Sequence, residues 1–309
     1  MLGWFRSENR LLWVIVALFL AAGWSTTGLI FRLIEEAGAL EVVFYRSLGL
    51  ASAITSFVAF RYRINTVRAF RAIGWPGVIG GAGLGFAAVT FILAIERTTI
   101  ANISFLIATA PFFVGALAWI VMREPMGRRT ILASVIAMAG VALMVWEGFS
   151  GGSWEGNLLA LACSLLASFY VVACRFGRGR DMVPSVAVSG MMACAAAVLT
   201  ADHLSISFHD LALCITQGVF ISAVCNGLFT LAARHLPAAE LTVLSMVESV
   251  LSPFWVFLFL GEIPTLLTII GGTVILAAIS FQAFLPRKDR SSDDTAPPPK
   301  RMKRQSKSP

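Results

Sequence analysis

Apolar runs broken by short polar stretches recur along the chain as far as residue 285. Ten such runs can be drawn, at 11–31, 40–60, 75–95, 99–121, 130–147, 157–174, 183–201, 211–233, 239–260 and 265–285. Each approaches the roughly 20 residues with which an α-helix crosses the hydrocarbon core of a bilayer. The breaks are polar and short: Arg61-Tyr62-Arg63 through Arg71, Arg123-Glu124-Pro125-Met126-Gly127-Arg128-Arg129, Gly148 to Gly156, and Arg175 to Asp181. Runs joined by such loops pack as neighbours. The pattern predicts an all-α integral membrane protein with ten transmembrane helices.

Composition agrees: 58% of the 309 residues are hydrophobic, only 13% are charged, and the mean hydropathy is +0.82. Soluble domains carry about one quarter charged residues, so water is excluded as the main solvent. The net charge of +7 matters through its location. Lys and Arg near span ends mark the cytoplasmic side. With the N-terminus inside, every Lys and Arg falls on that side except Arg32 and Arg97 opposite and Arg46 within the second run. Both termini are expected in the cytoplasm and the protein in the cell membrane. Arg6 and Arg10 precede a run long enough to span, so 1–10 reads as a cytoplasmic N-terminus and 11–31 as the first helix rather than a cleaved signal. Residues 286–309, with Pro297-Pro298-Pro299 and Lys300-Arg301-Met302-Lys303-Arg304, read as a disordered basic tail that sets topology and touches anionic lipid, not nucleic acid. Cys163, Cys174, Cys194, Cys214 and Cys225 all lie in apolar runs, with no CxxC pair and no histidines at ligand spacing. Neither a disulfide framework nor a metal site is expected, and no cofactor.

The chain repeats itself. Phe91, Leu93, Ala94, Ala101, Glu124, Thr130 and Ile131 recur at a constant offset of 138 as Phe229, Leu231, Ala232, Ala239, Glu262, Thr268 and Ile269. Further upstream the best offset is 143, which matches Ser25 with Ser168 and Arg32 with Arg175. The expected halves are 11–147 and 157–285. Five spans per half is an odd number, so the second half starts on the opposite side and the repeats are inverted, an arrangement characteristic of secondary transporters.

These features resemble the EamA-type permeases of the drug/metabolite transporter superfamily. The likeness rests on Ala101 to Val145, with Met122-Arg123-Glu124-Pro125 and Ala139-Gly140-Val141, and on Ala239 to Ala278, with Glu248 and Leu260-Gly261-Glu262. It implies a transporter of amino acids, other metabolites or drugs, with a central cavity between helices of both halves. Ser249 departs from the pattern: it stands where the second repeat usually has a proline after the glutamate, and Pro253 follows four residues later.

Polar and charged residues inside spans are costly unless they face the protein interior or a water-filled cavity, so they are the default site candidates. Thr242, Ser245, Ser249 and Ser252 line one face of the ninth run, with Glu248 beside them. Glu248 reads either as a contact for a substrate ammonium group or a coupling proton, or as a hydrogen-bonded packing residue. Ser222, Asn226 and Thr230 form a second stripe in the eighth run. Trp24 and Ser25 in the first, Ser168 and Tyr170 in the sixth and Asn102 in the fourth complete the expected substrate pathway. Serine and threonine can equally bond their own i−4 carbonyl. Arg46 reads as a structural residue whose long stem snorkels outward or pairs with Glu41 or Glu96, with a contact for an anionic substrate as the sharper alternative. Pro111 and Pro253 are expected to kink their helices. Gly77, Gly81 and Gly85, with Gly80 and Gly83, read as a close-packing surface. Trp4, Trp13, Trp75, Trp146 and Trp154 are expected at the interfaces, and Trp24, Trp119 and Trp255 deeper.

The three histidines lie in or beside loops, every aspartate lies outside the apolar runs, and no HExxH or Walker motif occurs. The expectation is therefore not an enzyme but a secondary transporter, with a lipid flippase or a channel-like protein as the alternatives. Its expected partners are a small-molecule substrate and the bilayer, and a homodimer is left open.

Overall fold

The computed structural model describes residues 10–284 apart from Glu96, 147–152, Asp202 and 262–264. The segment ahead of Arg10, Glu96, Glu262, the tail 286–309 and the side chains of Arg32 and Ala101 lie outside the described residues. The described residues are helical with connecting turns. The helices are α1 (Arg10–Ser25), α2 (Thr27–Leu33), α3 (Ala39–Tyr62), α4 (Thr66–Ala72), α5 (Gly74–Ile95), α6 (Ile100–Ile107), α7 (Ala110–Met122), α8 (Arg128–Val145), α9 (Trp154–Phe176), α10 (Pro184–Thr200), α11 (Phe208–Thr216), α12 (Val224–Ala232), α13 (Ala238–Ser245), α14 (Val247–Leu260) and α15 (Leu266–Phe284). Eight helical stretches are long and apolar enough to cross a membrane, and Pro184–Thr200 and Leu266–Gln282 are shorter apolar helices. The chain is an integral membrane protein.

Four of the apolar runs are interrupted helices, two of them with a local cause in the sequence. Pro111 has no N–H to give the Ile107 carbonyl. The ladder there shifts to tighter bonds, Thr109 N to Leu106 O at 3.2 Å and Phe112 N to Thr109 O at 3.0 Å, and the freed Ile107 carbonyl accepts the Ser164 hydroxyl at 3.4 Å. At Thr26 the side chain competes for the backbone: its hydroxyl donates to Gly23 O at 2.7 Å, and α1 gives way to α2. Between α11 and α12 the chain forms a π-helical segment, Gln217–Ala223. The ninth run breaks at Met246, between α13 and α14, and not at Pro253, which lies inside α14.

Small residues set the packing. A Cβ at Gly81 or Gly85 would sit 2.6 Å from the Ser185 or Ser189 carbonyl of α10. One at Gly80 or Gly83 would sit 2.6 Å from the Ala173 Cβ or 2.8 Å from the Leu166 carbonyl of α9. Thus α5 lies between α9 and α10 at backbone distance, the close approach that small residues permit. Gly77 takes no part in this: a Cβ there would meet Ile73 of its own chain segment. Gly140 of α8 and Gly271 of α15 cross in the same way.

The loops gather at two ends. At the arginine-rich end, Arg10 pairs with Glu240, Arg175 with Glu124 at 3.3 Å, and Arg61 with Asp181 at 3.4 Å, while Tyr62 donates to Asp181 at 2.5 Å. At the other end, Asp210 accepts the Glu35, Glu36 and Ala37 amides at 2.9–3.1 Å, Ser153 bonds the Arg97 carbonyl at 2.9 Å, and Thr98 donates to Asn157 at 2.7 Å.

Candidate functional site

The first, sixth, eighth and ninth runs meet in one polar and aromatic assembly. Ser25 at the end of α1 is buried, donates to Ala22 O at 2.6 Å and accepts the Trp255 indole N–H of α14 at 2.8 Å. Trp24 packs on Phe229 with ring centres 5.6 Å apart, and Tyr170 of α9 stacks on the same ring at 6.0 Å. The Tyr170 hydroxyl lies 2.6 Å from that of Thr230 and 3.3 Å from the Asn226 carbonyl. Asn226 donates to Ser222 O at 2.7 Å, Ser222 to Gln217 Oε1 at 3.3 Å, and the Gln217 amide to Thr27 at 3.4 Å. An unbroken polar strip therefore runs from the start of α2 along the π-helical segment to Tyr170.

Gln217 was not singled out by the spacing. Stripes are sought at i and i+4, whereas Gln217 precedes Ser222 by five. The wider π turn, a feature frequent at functional sites, brings it onto the same face. A polar residue one step out of register with a stripe was the available signal.

The remaining expected residues separate into two groups. Thr242 and Ser245 bond their own Ala238 and Leu241 carbonyls at 2.9 and 2.8 Å, and the buried Ser168 bonds Ser164 O at 2.7 Å. Asn102 lies apart from the assembly: its backbone N–H is capped by Thr99 at 3.2 Å and its amide donates to Thr98 at 3.1 Å, at the end of the bundle that holds Arg97 and Asn157. Trp119 is exposed. Trp13 is buried, stacked on His235 with ring centres 4.0 Å apart, rather than lying at the interface. Burial of the imidazole there, then the Arg234 and Arg175 charges, hold its pKa below the ordinary histidine value.

The second group is Glu248 and Arg46, which have no ion pair among the described residues. Glu248 lies in the first turn of α14, half-buried, with no hydrogen bond or ion pair among the described residues. Cys225 of α12, whose sulfur fills the space beside Gly23 of α1, is within its electrostatic reach. Arg46 is half-buried in α3 with no ion pair among the described residues, and Cys214 and Cys163 are within its electrostatic reach. It does not pair with Glu41, which instead meets His203 at 3.4 Å, and Glu96 lies outside the described residues. The Arg46 carbonyl occupies the space that a Cβ at Gly218 would need. Arg46 thus lies against the π-helical segment through its carbonyl, and Glu248 lies in the first turn after the break at Met246.

The two central breaks share a register. Ala108 and Met246 are separated by the 138 residues that relate the sequence repeats, and their dihedrals nearly coincide, φ −61°, ψ −11° and φ −63°, ψ −9°. At the end opposite the arginines, Glu36, Glu41, His203, Ser205 and Ser207 line an open cavity of about 630 Å³.

A helical membrane protein with interrupted spans around charged interior residues has the build of a transporter. The chain belongs to the EamA-like transporter family, whose model matches residues 11–146 and again residues 154–283. It is 27% identical over 210 residues to the uncharacterized transporter YdfC of Bacillus subtilis, covering 64% of this chain and 68% of that one. It is 27% identical over 263 residues to the pseudopaline exporter CntI of Pseudomonas aeruginosa strain UCBPP-PA14, covering 80% and 88% of the two chains. A crystal structure of a protein 16% identical superposes with a TM-score of 0.78, covering 91% of this chain and all of the other, a likeness of fold.

Proposed function

We propose that this chain is a secondary transporter that exports a small organic solute, an amino acid or related metabolite, by alternating access. The observation that carries this reading is the pair Arg46 and Glu248. A charge within a membrane span costs about 2.5–3.5 kcal/mol even on the mildest scale, and among the described residues neither has an ion-pair partner that would offset it. Such groups persist where water or a ligand meets them. A solute with a carboxylate for Arg46 and an ammonium group for Glu248 satisfies both, and Glu248 can carry a coupling proton when the solute has left.

In this reading ten spans form two inverted five-helix halves, and the shared register of the breaks at Ala108 and Met246 supports the symmetry. The positive-inside rule puts the arginine-rich end in the cytoplasm. The ion pairs there close the path to that side, and the cavity beside Glu41 is the outer vestibule. Inward opening parts Arg10 from Glu240 and Arg175 from Glu124 as one half rocks against the other. The relative named as an exporter favours the outward direction. With no Walker motif in the chain, the driving force is a solute or ion gradient.

The test is counterflow of labelled amino acids into proteoliposomes. Arg46→Gln and Glu248→Gln are each expected to lower it at least tenfold while eluting like wild type, and Glu248→Gln to flatten its pH dependence. Wild-type counterflow in both variants refutes the assignment. Unsaturable conductance points to a channel, and lipid scrambling without counterflow to a flippase. A cysteine-accessibility map placing Arg61 to Arg71 outside overturns the orientation.

A further inference from the structure

The connection between α3 and α5 does not take the short way. The chain turns sharply at Arg63, a non-glycine residue with φ +47°, runs through α4, and turns again at Gly74, φ +62°. Ala69 and Ile73 are buried and fasten this segment to the bundle, while Ile64 is 99% exposed, Val67 62% and Phe60, one turn back in α3, 80%. On the same segment Arg63, Arg68 and Arg71 are exposed and have no partner among the described residues. Ile64, Val67, Arg68 and Arg71 follow the i, i+3, i+4, i+7 spacing of one helix face. Beside them, Arg180 packs against Gly74, where a Cβ would lie 2.6 Å from its Nη1, and the exposed Trp75 and Phe176 rings pair at 5.7 Å.

Bare aliphatic side chains interleaved with bare guanidiniums fit neither water nor hydrocarbon alone. They fit the boundary between them, where apolar groups sink into the acyl edge and cations meet phosphate. Charge selects the lipid. The opposite end also exposes large apolar residues, Leu199 and Phe208, but the loop before α3 there carries the exposed Glu35 and Glu36, which repel anions. We infer that residues 60–75, with Arg180 and Phe176, form a docking surface for anionic phospholipid of the cytoplasmic leaflet. Arg63, Arg68, Arg71 and Arg180 hold headgroup phosphates, and Ile64, Val67 and Trp75 rest on the glycerol and upper acyl region. The assignment of leaflet rests on the orientation proposed above; the lipid preference does not.

The full-length protein in nanodiscs, whose two leaflets are alike, tests the preference whichever way the chain faces the cell. The readout is quenching of Trp75 fluorescence, taken as wild type minus Trp75→Phe, by phosphatidylglycerol or phosphatidylcholine with brominated acyl chains at equal mole fraction. Wild type is expected to show several-fold enrichment of the anionic lipid, falling in high salt as screening predicts. Each interfacial cation is worth about fivefold in attraction to an anionic surface, so Arg63→Gln/Arg68→Gln/Arg71→Gln should abolish the enrichment. Arg128→Gln/Arg129→Gln, which removes charge from the start of α8 at the same end, should retain it. Equal quenching by the two lipids, the same loss in the Arg128/Arg129 control, or displacement by soluble glycerol phosphate overturns the inference. If the triple variant does not fold, the wild-type lipid ratio and its salt dependence decide.

Discussion

Ser249→Pro separates an interrupted ninth span from a continuous one. Proline inside a helix costs about 3 kcal/mol, because it removes one hydrogen bond and its ring strikes the carbonyl four residues back. In this structure residue 249 is the third residue of α14, just past the break at Met246, and its N–H makes only the tightened bond to Met246 O at 3.1 Å. Losing such a bond costs about 0.5–1.5 kcal/mol net, and proline returns about 0.4–1 kcal/mol by restricting the unfolded chain. The two nearly cancel. The first half already shows the outcome, since 249 less the repeat offset of 138 is Pro111, seated in the first turn of α7 after a break with the same dihedrals. Thermal melting of purified protein, followed by size-exclusion elution, should therefore place Ser249→Pro within about 3 °C of wild type, where 1 kcal/mol corresponds to roughly 2–4 °C. Ala277→Pro, exposed near the middle of α15, is the control and should lose the monodisperse peak or melt far lower. If Ser249→Pro falls as far as Ala277→Pro, the ladder runs unbroken through residue 249 and the shared register of the two breaks is wrong.

Gly85→Leu should abolish the folded peak, because the side chain would have to displace the Ser189 carbonyl, 2.6 Å from a Cβ at that site, whereas Gly179→Leu, with nothing within 4 Å, should be neutral in the same elution assay. Glu240→Gln should lower the melting temperature by a few degrees: Glu240 is buried but Arg10 is 37% exposed, so the loss is on the order of 1–2 kcal/mol, below that of a fully buried pair. Acid should weaken the fold through His235, whose pKa is lowered. The unfolded chain takes up that proton first, so stability is full above the ordinary histidine value and falls as the pH drops below it. Melting curves of His235→Gln should show a shallower decline in that window.

The spans were legible because length and apolarity alone decide whether a helix can cross a bilayer. Their interruptions were legible only where a residue advertises one. Pro111 did so, and its freed carbonyl is found taking the Ser164 hydroxyl. Met246 did not, since nothing near it lacks an N–H. The repeat offset was the clue, for it maps Ser249 onto Pro111. Of the readings of Arg46, the pairing with Glu41 is the one the structure lacks, for a reason the sequence did contain: Glu41 lies five positions earlier, at about 100° per residue well round the helix from Arg46, whereas side chains meet at three or four. Trp13 looked like an interface tryptophan because it stands near a span end, but His235, distant in sequence, covers it. Asn102 was named as a polar residue inside an apolar run; as the third residue of α6 it is the one whose N–H a Thr99 cap would claim. Such errors arise where a neighbour distant in sequence, or the end of a helix, decides what a side chain does.

The distribution of satisfied and unsatisfied polar groups explains why the interior charges are informative. At the arginine-rich end, carboxylates and guanidiniums find each other even though water there would serve: Glu124 and Arg175, Asp181 and Arg61, Glu240 and Arg10. Inside the bundle the hydroxyls and amides of the polar strip are bonded one to the next. Among the described residues Arg46 and Glu248 stand outside both systems, within spans, where an unpaired charge is costly. Packing cannot account for this, because apolar residues of similar size would fill the same volume without the cost. Nor is it a shortage of partners, since cations and carboxylates are paired a few turns away. What distinguishes the two positions is that each sits beside a departure from regular helix, Arg46 against the π-helical segment at Gly218 and Glu248 in the first turn after Met246. Helix interruptions in a membrane are tolerated where they line a cavity, and the solute path proposed above runs past both.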